Sequence, residues 1–487
     1  MCKVVRPPAD VHRVRITDDG EPDRAHERII SVSLEGPATG SLRHAQRMIV
    51  RRGAITFALQ VCQLVALVGV NVIVTRATGP TGKGIFTLMA LLVTMGTAVT
   101  ALGISWAAIY FIGRRAFPLE DVTATVLTSS LASAGVTVAG LGAGYLVFRD
   151  SYFSAVSGAQ ILVSLAIVPA AQVTTTLASI ILGTNRPIQF AGVSVVQWVT
   201  TLGAQGALAL AGHLDPTTAL IAWFAGTVVS AVVALRFVSR DVRLRLGLDR
   251  GILRQLLGFG LKGYAANLLM FFNYRLDSLI VNGLAGVASV GIYSIAVAVA
   301  EVIWYVAGAF GTVMFPHIAS LDRKEANRLT PVVSRNVWFV TLVGVVAMAV
   351  IGRWLIEFVF GTVMLPAVTP LLLLLPGIFA LSGTKILSSY LSGIGRPIYA
   401  TWISGATVVL TVALDIALIP RFGISGAAAA SSIVYTVSAA ATLIVFRKES
   451  GAGIAETVVI QPQDLSYYAR GARTLAGALA GALKQGG

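Results

Sequence analysis

Ala77-Thr-Gly-Pro-Thr-Gly-Lys-Gly84-Ile-Phe86 and Leu284-Ala-Gly-Val-Ala-Ser-Val-Gly291-Ile-Tyr293 decide how this chain folds. Each stretch closes one long apolar run and opens the next, and Gly84 and Gly291 stand 207 residues apart. A second pair, Gly183-Thr-Asn-Arg186-Pro187-Ile188 and Gly393-Ile-Gly-Arg396-Pro397-Ile398, repeats at an offset of 210 (396 minus 186). Two matches at nearly one offset, in the same helix–loop setting, mark an internal repeat. Each repeat holds six apolar runs. Six is even, so both halves start on the same side of a bilayer, as parallel repeats about an axis along the membrane normal. Transporters built in this way bind substrate near the midplane, between the halves.

The rest of the chain agrees. It is 56% hydrophobic and 12% charged, with mean hydropathy +0.80, where a soluble domain is about 25% charged. A membrane span needs roughly 20 apolar residues. Twelve runs qualify, at 53–75, 84–112, 122–147, 157–182, 188–211, 217–237, 257–284, 290–314, 336–351, 367–393, 398–419 and 424–446. The ninth is interrupted by Arg353 and Glu357 before 358–365 resumes. The expectation is an all-α integral membrane protein with 12 transmembrane helices in two six-helix lobes. Residues 1–52 read as a cytoplasmic arm, mostly disordered over 1–44. Residues 53–238 form the first lobe, 239–256 a basic linker, 257–446 the second lobe and 447–487 a cytoplasmic tail. Residues 451–487 read as disordered like the arm, with a short surface helix at 465–483. The polar N-terminal stretch lacks the apolar core of a cleavable signal peptide.

Charge sets the orientation. With the N-terminus inside, twenty Lys and Arg fall in the inner segments, against Arg76, Lys83, Arg149, Arg353 and Arg421 outside. This bias places both termini in the cytoplasm. The net charge of +15 therefore points to anionic membrane lipid rather than nucleic acid. The basic loop 236–254 is a candidate lipid contact, although such loops more often fix topology. Cys2 and Cys62 allow no disulfide framework, and five scattered histidines suggest no metal centre. Gly79-Pro-Thr-Gly-Lys83-Gly84 imitates a phosphate loop but has Ala77 where a Gly is required and Gly84 in place of Ser or Thr. No cofactor is expected. With no ATPase signature, the drive is an ion gradient, the membrane potential or substrate consumption, with proton or sodium coupling as the option.

Charges inside spans cost about 2.5–3.5 kcal/mol each on insertion scales. In the first half every charge falls at a loop or span end, leaving only Gln60, Gln63, Asn71, Gln172, Gln197 and Gln205 inside. The second half holds Lys262, Arg275, Asp277, Glu301, Lys385 and Asp415 within or near the ends of spans. Helical geometry puts Lys262, Asn273 and Asp277 on one face of the seventh span, with Arg275 turned away. Arg275, Lys385, Lys262 and Asn273 are the substrate-cavity candidates, with Arg suited to bidentate phosphate contacts and Lys to a point charge. Glu301, Asp277 and Asp415 are the charge-compensating or ion-coupling candidates. Gln60, Gln63, Asn71, Gln172 and Gln197 are sugar-contact candidates, although buried amides more often bridge helices. An Arg275–Glu301 structural pair is the competing assignment. Arg186-Pro187 and Arg396-Pro397 read as helix starts obeying the charge rule, and Pro376 as a bend in the tenth span.

The ordered set Arg76-Ala-Thr-Gly-Pro80, Gly84-Ile-Phe86, Asp277, Gly286, Gly291-Ile-Tyr-Ser294, Phe315-Pro316, Gly395-Arg-Pro-Ile398, Leu418-Ile-Pro-Arg-Phe-Gly423 and Gly426-Ala-Ala428 resembles bacterial polysaccharide flippases. These belong to the multidrug/oligosaccharidyl-lipid/polysaccharide exporter superfamily. The resemblance covers about residues 53–446. It implies two six-helix lobes meeting in a V, in the cytoplasmic membrane of a bacterium. It also implies ATP-independent flipping, by alternating access, of undecaprenyl-diphosphate-linked sugar repeat units for lipopolysaccharide or exopolysaccharide synthesis. Polysaccharide polymerase and glycosyltransferases would be functional partners. Asp415 departs from the family's pattern, where an uncharged polar residue such as Asn is expected.

Three other readings compete. An ion-coupled multidrug or small-molecule exporter of the same fold would be expected to carry acidic residues inside the first lobe. A membrane enzyme would need a sizeable outer loop with catalytic residues, and the outer loops here are short. A purely structural bundle would not explain the repeat with buried charge.

Overall fold

Proline and short polar side chains set where the helices begin. The computed structural model describes residues 38–464, with side chains from residue 55 onward except at 262–263 and at scattered positions within 305–320. Helix α5 (Pro187–Leu210) opens on its proline, and α6 (Pro216–Val238) follows Asp215, whose carboxylate accepts from the Thr218 amide at 2.7 Å. Ser157 and Gln160 form a capping box at α4 (Gly158–Gly183). Asp249 and Asp322 cap α7 (Arg250–Ala285) and α9 (Arg323–Phe360) in the same manner. Each side chain satisfies an amide that the helix itself leaves open.

The remaining elements are α1 (Ala38–Ala101), α2 (Ile104–Gly113), α3 (Leu119–Phe148), α8 (Val287–Ser320), a 3-10 turn at Thr362–Ala367, α10 (Val368–Gly393), α11 (Ile398–Phe422), α12 (Ile424–Ser450) and α13 (Ile454–Val458). Among the described residues ten helices are long and apolar enough to cross a membrane. One of these, at 55–101, breaks at Gly79 (φ 66°) and is two helices in series. Helix α7, at 36 residues, is long enough but more polar. The exterior is apolar, with Trp106, Leu146, Leu162, Leu210, Phe358 and Trp402 all exposed, as a protein solvated by lipid requires. The chain is an all-helical, multi-pass integral membrane protein.

Residues up to Ala58 form one unit and those from Leu59 onward a second. Within the second, helices α2–α6 pack on one another, as do α7–α12, and α7 also touches α2 and α3.

Several expectations are corrected. The ninth run is one unbroken helix through Arg353 and Glu357. Thirty-eight residues rise about 57 Å, well beyond a 30 Å core, so its polar first turns stand clear of the apolar layer. The second run breaks at Leu102 and Gly103, both at positive φ. Residues 451–464 are structured rather than a loose tail: α13 packs against α9. The helix expected at 465–483 and most of the N-terminal arm lie outside the described residues.

The repeat is visible as contacts. Gly79 and Gly286, both at positive φ, are equivalent at offset 207. A Cβ on Gly84 would lie 1.8 Å from the Val287 carbonyl oxygen, and one on Gly291 would lie 2.0 Å from that of Pro80. These are the same contact made twice, with the halves exchanged. Thr87 and Ser294, again equivalent, meet hydroxyl to hydroxyl at 3.4 Å. Pro376 leaves the α10 ladder open, and Ser432 of α12 fills the gap. Its hydroxyl accepts from the Gly377 amide at 2.9 Å and donates to the Leu373 carbonyl at 2.5 Å. A side chain thus bridges the backbone groups beside the proline.

Both Gly84→Ala and Gly291→Ala should lower thermal stability in detergent by roughly 1–3 kcal/mol, the usual cost of overpacking. Gly140→Ala, where a Cβ meets nothing within 4 Å, should melt like the wild type. Equal melting of all three variants would contradict the close crossing.

Candidate functional site

The charged residues of the second half separate into two groups. In the first, Arg275 of α7 and Glu301 of α8 form a two-pronged ion pair, at 3.0 Å and 3.2 Å. Their side chains remain 33% and 17% exposed, so the pair is not sealed in the core. Glu301 lies about 22 Å along α8 from Gly286 at 1.5 Å per residue, far from either helix end. Lys385 of α10 rests its ammonium 3.6 Å from the centroid of the Trp304 ring, and Glu301 is near enough to act on its charge.

The second group is buried. Asp277 accepts from the Tyr293 hydroxyl at 2.6 Å, the Ser278 amide at 2.6 Å and the Ser431 hydroxyl at 3.3 Å. Asn273 donates to Thr407 at 3.0 Å and accepts from Thr411 at 2.8 Å, joining α7 to α11. Asp415, one turn beyond Thr411, is 0% exposed, and neither carboxyl oxygen has a hydrogen-bond partner. Asp277 acts on it electrostatically. The Lys262 side chain lies outside the described residues.

The structure thus brings Arg275, Glu301 and Lys385 together, and separately Asn273, Asp277 and Asp415. Asp277, on the same helix as Arg275, is held by hydroxyl and amide groups, while Glu301 takes the guanidinium. Sequence reading did not find Trp304, Tyr293 or Ser431. Thr407, Thr411 and Asp415 recur every four residues and so trace one face of α11, a signal that was available.

In the first half the amides bridge helices. Gln172 donates to Ser133 at 3.2 Å, Gln197 to Thr227 at 3.2 Å and Gln205 to the Ala219 carbonyl at 3.1 Å. Gln60 is exposed and Gln63 half-buried. Asn71 donates to the Leu67 carbonyl and accepts from Lys83 at 2.7 Å. Lys83 corrects the expectation of a first half free of internal charge: it is only 3% exposed. The Gly79 break folds its helix back so that the ammonium points to Asn71.

Ion pairs also recur with the repeat. Arg186, in the α4–α5 turn, pairs with Asp241 after α6. Arg396, in the α10–α11 turn, pairs with Glu449 at the end of α12 at 2.7 Å, and Arg323 grips the same carboxylate at 2.7 Å. The two arginines read as topology markers also tie each half's turn to its last helix.

The described residues thus give a multi-pass helical membrane protein with partly exposed charge held midway along α7 and α8. The profile of the polysaccharide biosynthesis protein family matches residues 73–369, and the chain belongs to that family. An uncharacterized membrane protein of Methanocaldococcus jannaschii is 25% identical over 214 residues, 42% of this chain and 42% of that protein. The chain therefore matches less than half the length of this curated relative. Three solved structures share the fold. An inward-facing multidrug-resistance transporter of the MATE family has TM-score 0.65 and 15% identity, covering 81% of this chain and 96% of the other. Lipid II flippase MurJ, in an inward closed conformation, has TM-score 0.64 and 13% identity, covering 81% and 89%. A superfamily transporter from Pyrococcus furiosus has TM-score 0.53 and 16% identity, covering 83% and 95%.

One group outside the spans titrates with a consequence. Arg335 of α9 donates to both oxygens of Asp464, at 2.5 Å and 2.9 Å, and this holds the carboxyl below the usual carboxylate range. The folded-state pKa is depressed, so the bond's contribution is present above the ordinary value and is lost as pH falls through the lowered one. Asp464→Asn should speed amide exchange across 454–458 at neutral pH. It should also remove the loosening of that segment that the wild type shows below about pH 4. Unchanged exchange in the variant would mean that the pair does not hold the segment.

Proposed function

We propose that this protein flips polyprenyl-diphosphate-linked oligosaccharide repeat units from the inner to the outer leaflet of a bacterial cytoplasmic membrane, by ATP-independent alternating access. The observation that carries this reading is the pair of partly exposed cations, Arg275 in its ion pair with Glu301 and Lys385 on the Trp304 ring. A dianionic diphosphate can take both cations, and a guanidinium can leave one carboxylate for two phosphate oxygens without losing bidentate geometry. Family membership and a fold shared with a lipid II flippase support it. On this reading the chain is twelve spans in two six-helix lobes, at 53–238 and 257–446, with both termini cytoplasmic. The polymer-forming enzymes, a polymerase and glycosyltransferases, are its functional partners. The first-half amides Gln60, Gln63, Asn71, Gln172 and Gln197 meet the sugars, Gln172 and Gln197 once their helix-bridging bonds open.

Deleting the gene should stop export of surface polysaccharide and leave lipid-linked repeat units in the inner leaflet, with wild type restoring both. Arg275→Gln/Glu301→Gln, which keeps the cluster's pairing neutral, should restore membrane level but lower flipping roughly ten- to hundredfold, the equivalent of one or two charged hydrogen bonds. Unchanged polymer and lipid intermediates in a strain without a second flippase would favour a small-molecule exporter instead.

Asp415 is the proposed coupling site, with Asp277 beside it. A carboxyl enclosed without a hydrogen-bond donor is electrically satisfied only by a proton or a small cation. Asp415→Asn should therefore fold and melt at least as well as wild type while losing the dependence of transport on an imposed proton or sodium gradient. Retention of that dependence would remove Asp415 from the coupling role.

A further inference from the structure

Trp304 sits where the cationic cluster meets an aromatic one, and diphosphate binding alone gives it no role. It stands one turn beyond Glu301 on α8. Tyr274 meets its ring edge-on at 4.5 Å and 89°, and Tyr435 backs Tyr274 at 5.9 Å and 80°. The indole N–H is buried and has no hydrogen-bond partner, which is unusual for a buried tryptophan. One face of the ring is taken by the Lys385 ammonium at 3.6 Å. One turn further along α8, Gly308 carries no side chain, and a Cβ there would lie 3.5 Å from that ammonium. Glycine thus leaves room beside the ring.

We infer that Trp304 is the platform for the sugar attached directly to the diphosphate, and that Lys385 covers this platform until substrate arrives. The inference rests on the lipid-diphosphate reading of the cluster. An ammonium gains less from an aromatic face than from a charge-assisted bond to a phosphate oxygen. A diphosphate engaging Arg275 therefore draws Lys385 off the ring by exchange of partners. The uncovered face is flat, apolar and held rigidly by Tyr274. A pyranose ring presents a face of C–H groups that stacks on such a surface, and its hydroxyls can accept from the free indole N–H. The order of events gives selectivity. A lipid without diphosphate leaves the ring covered, and a diphosphate without sugar uncovers a face that it cannot fill.

The test is binding by the full-length protein in nanodiscs to two probes: a polyprenyl diphosphate bearing one hexose, and the same lipid diphosphate without sugar. Lys385→Met should weaken both probes about tenfold. Trp304→Leu should weaken the glycosylated probe about tenfold and leave the bare diphosphate within about twofold. Trp304→Phe, which keeps a ring, should recover most of the loss, and melting temperatures establish that each variant is folded. Equal weakening of both probes by Trp304→Leu would make the ring a packing or lipid-contact residue and overturn the inference, as would no weakening of either. If wild type bound neither probe, the lipid-diphosphate reading itself would fail, and the inference with it.

Discussion

Backbone meets backbone where α1 crosses α8 at Gly84 and Gly291, and much of the arrangement follows from that contact. Apolar side chains give helices no preference for one another over lipid tails. Close approach through glycine supplies dispersion contacts that lipid cannot match, and here it does so twice, Gly84 against Val287 and Gly291 against Pro80. Gly79 and Gly286 turn the chain immediately before the crossing, at conformations that other residues adopt only with strain. The two stretches that mark the repeat in the sequence are thus the ones that make the two-fold contact. The repeat records a physical requirement at that spot.

On this symmetric frame the charge is asymmetric. Subtracting 207 from Arg275, Asp277 and Glu301 leads to Val68, Val70 and Thr94, and subtracting 210 from Lys385 leads to Thr175. The frame therefore needs no charge at these positions in order to form. Each charge in the second half adds an insertion cost, and the cluster reduces it by pairing: Arg275 with Glu301, Lys385 with an aromatic face. Lys83 departs from this pattern, being a first-half cation buried against a neutral amide. Its equivalent at offset 207 is Val290, so it too lies outside what the symmetry requires.

Most of the helices were legible in the sequence because run length and capping residues are local signals. Pro187 and Pro216 mark starts that the structure reproduces within a residue of the runs at 188 and 217, whereas α7 and α9 begin behind their acidic caps at Arg250 and Arg323, well ahead of the runs expected from 257 and 336. The ninth run was misread for a local reason as well. Arg353 and Glu357 break an apolar window, but they do not break a helix whose end stands near the surface. Lys83 was misplaced because its position depends on a chain reversal at Gly79, which brings it back along Asn71, twelve residues earlier. The charged residues of the site were legible, since charge in an apolar run stands out. Of their partners, only the Arg275–Glu301 pair was offered, as the competing assignment. That Tyr293 and Ser431 hold Asp277 depends on how α7, α8 and α12 pack, which no spacing along one helix reveals.

The distribution of bond types bears on the proposed exchange of states. Every ion pair among the described residues joins elements of one half, or the linker or the C-terminal segment to a half. Contacts between the halves are of another kind. At the Gly79 end, Arg76 donates to the Phe358 and Val359 carbonyls that close α9, and the Tyr152 hydroxyl donates to the Leu279 carbonyl at 2.7 Å. At the other end, Tyr264 donates to the Ala98 carbonyl at 2.7 Å beside the Gly103–Gly260 contact. Hydrogen bonds to carbonyls contribute about 0.5–1.5 kcal/mol net, and glycine contacts leave no interlocked side chains to disengage. Breaking a buried ion pair such as Arg335–Asp464 costs more, about 3–5 kcal/mol when one charge is left alone, whereas the exposed pairs contribute about 0–1 kcal/mol each. Weak, mostly neutral contacts at each end can open at one while holding at the other, which is the mechanical condition that the proposed alternating access requires.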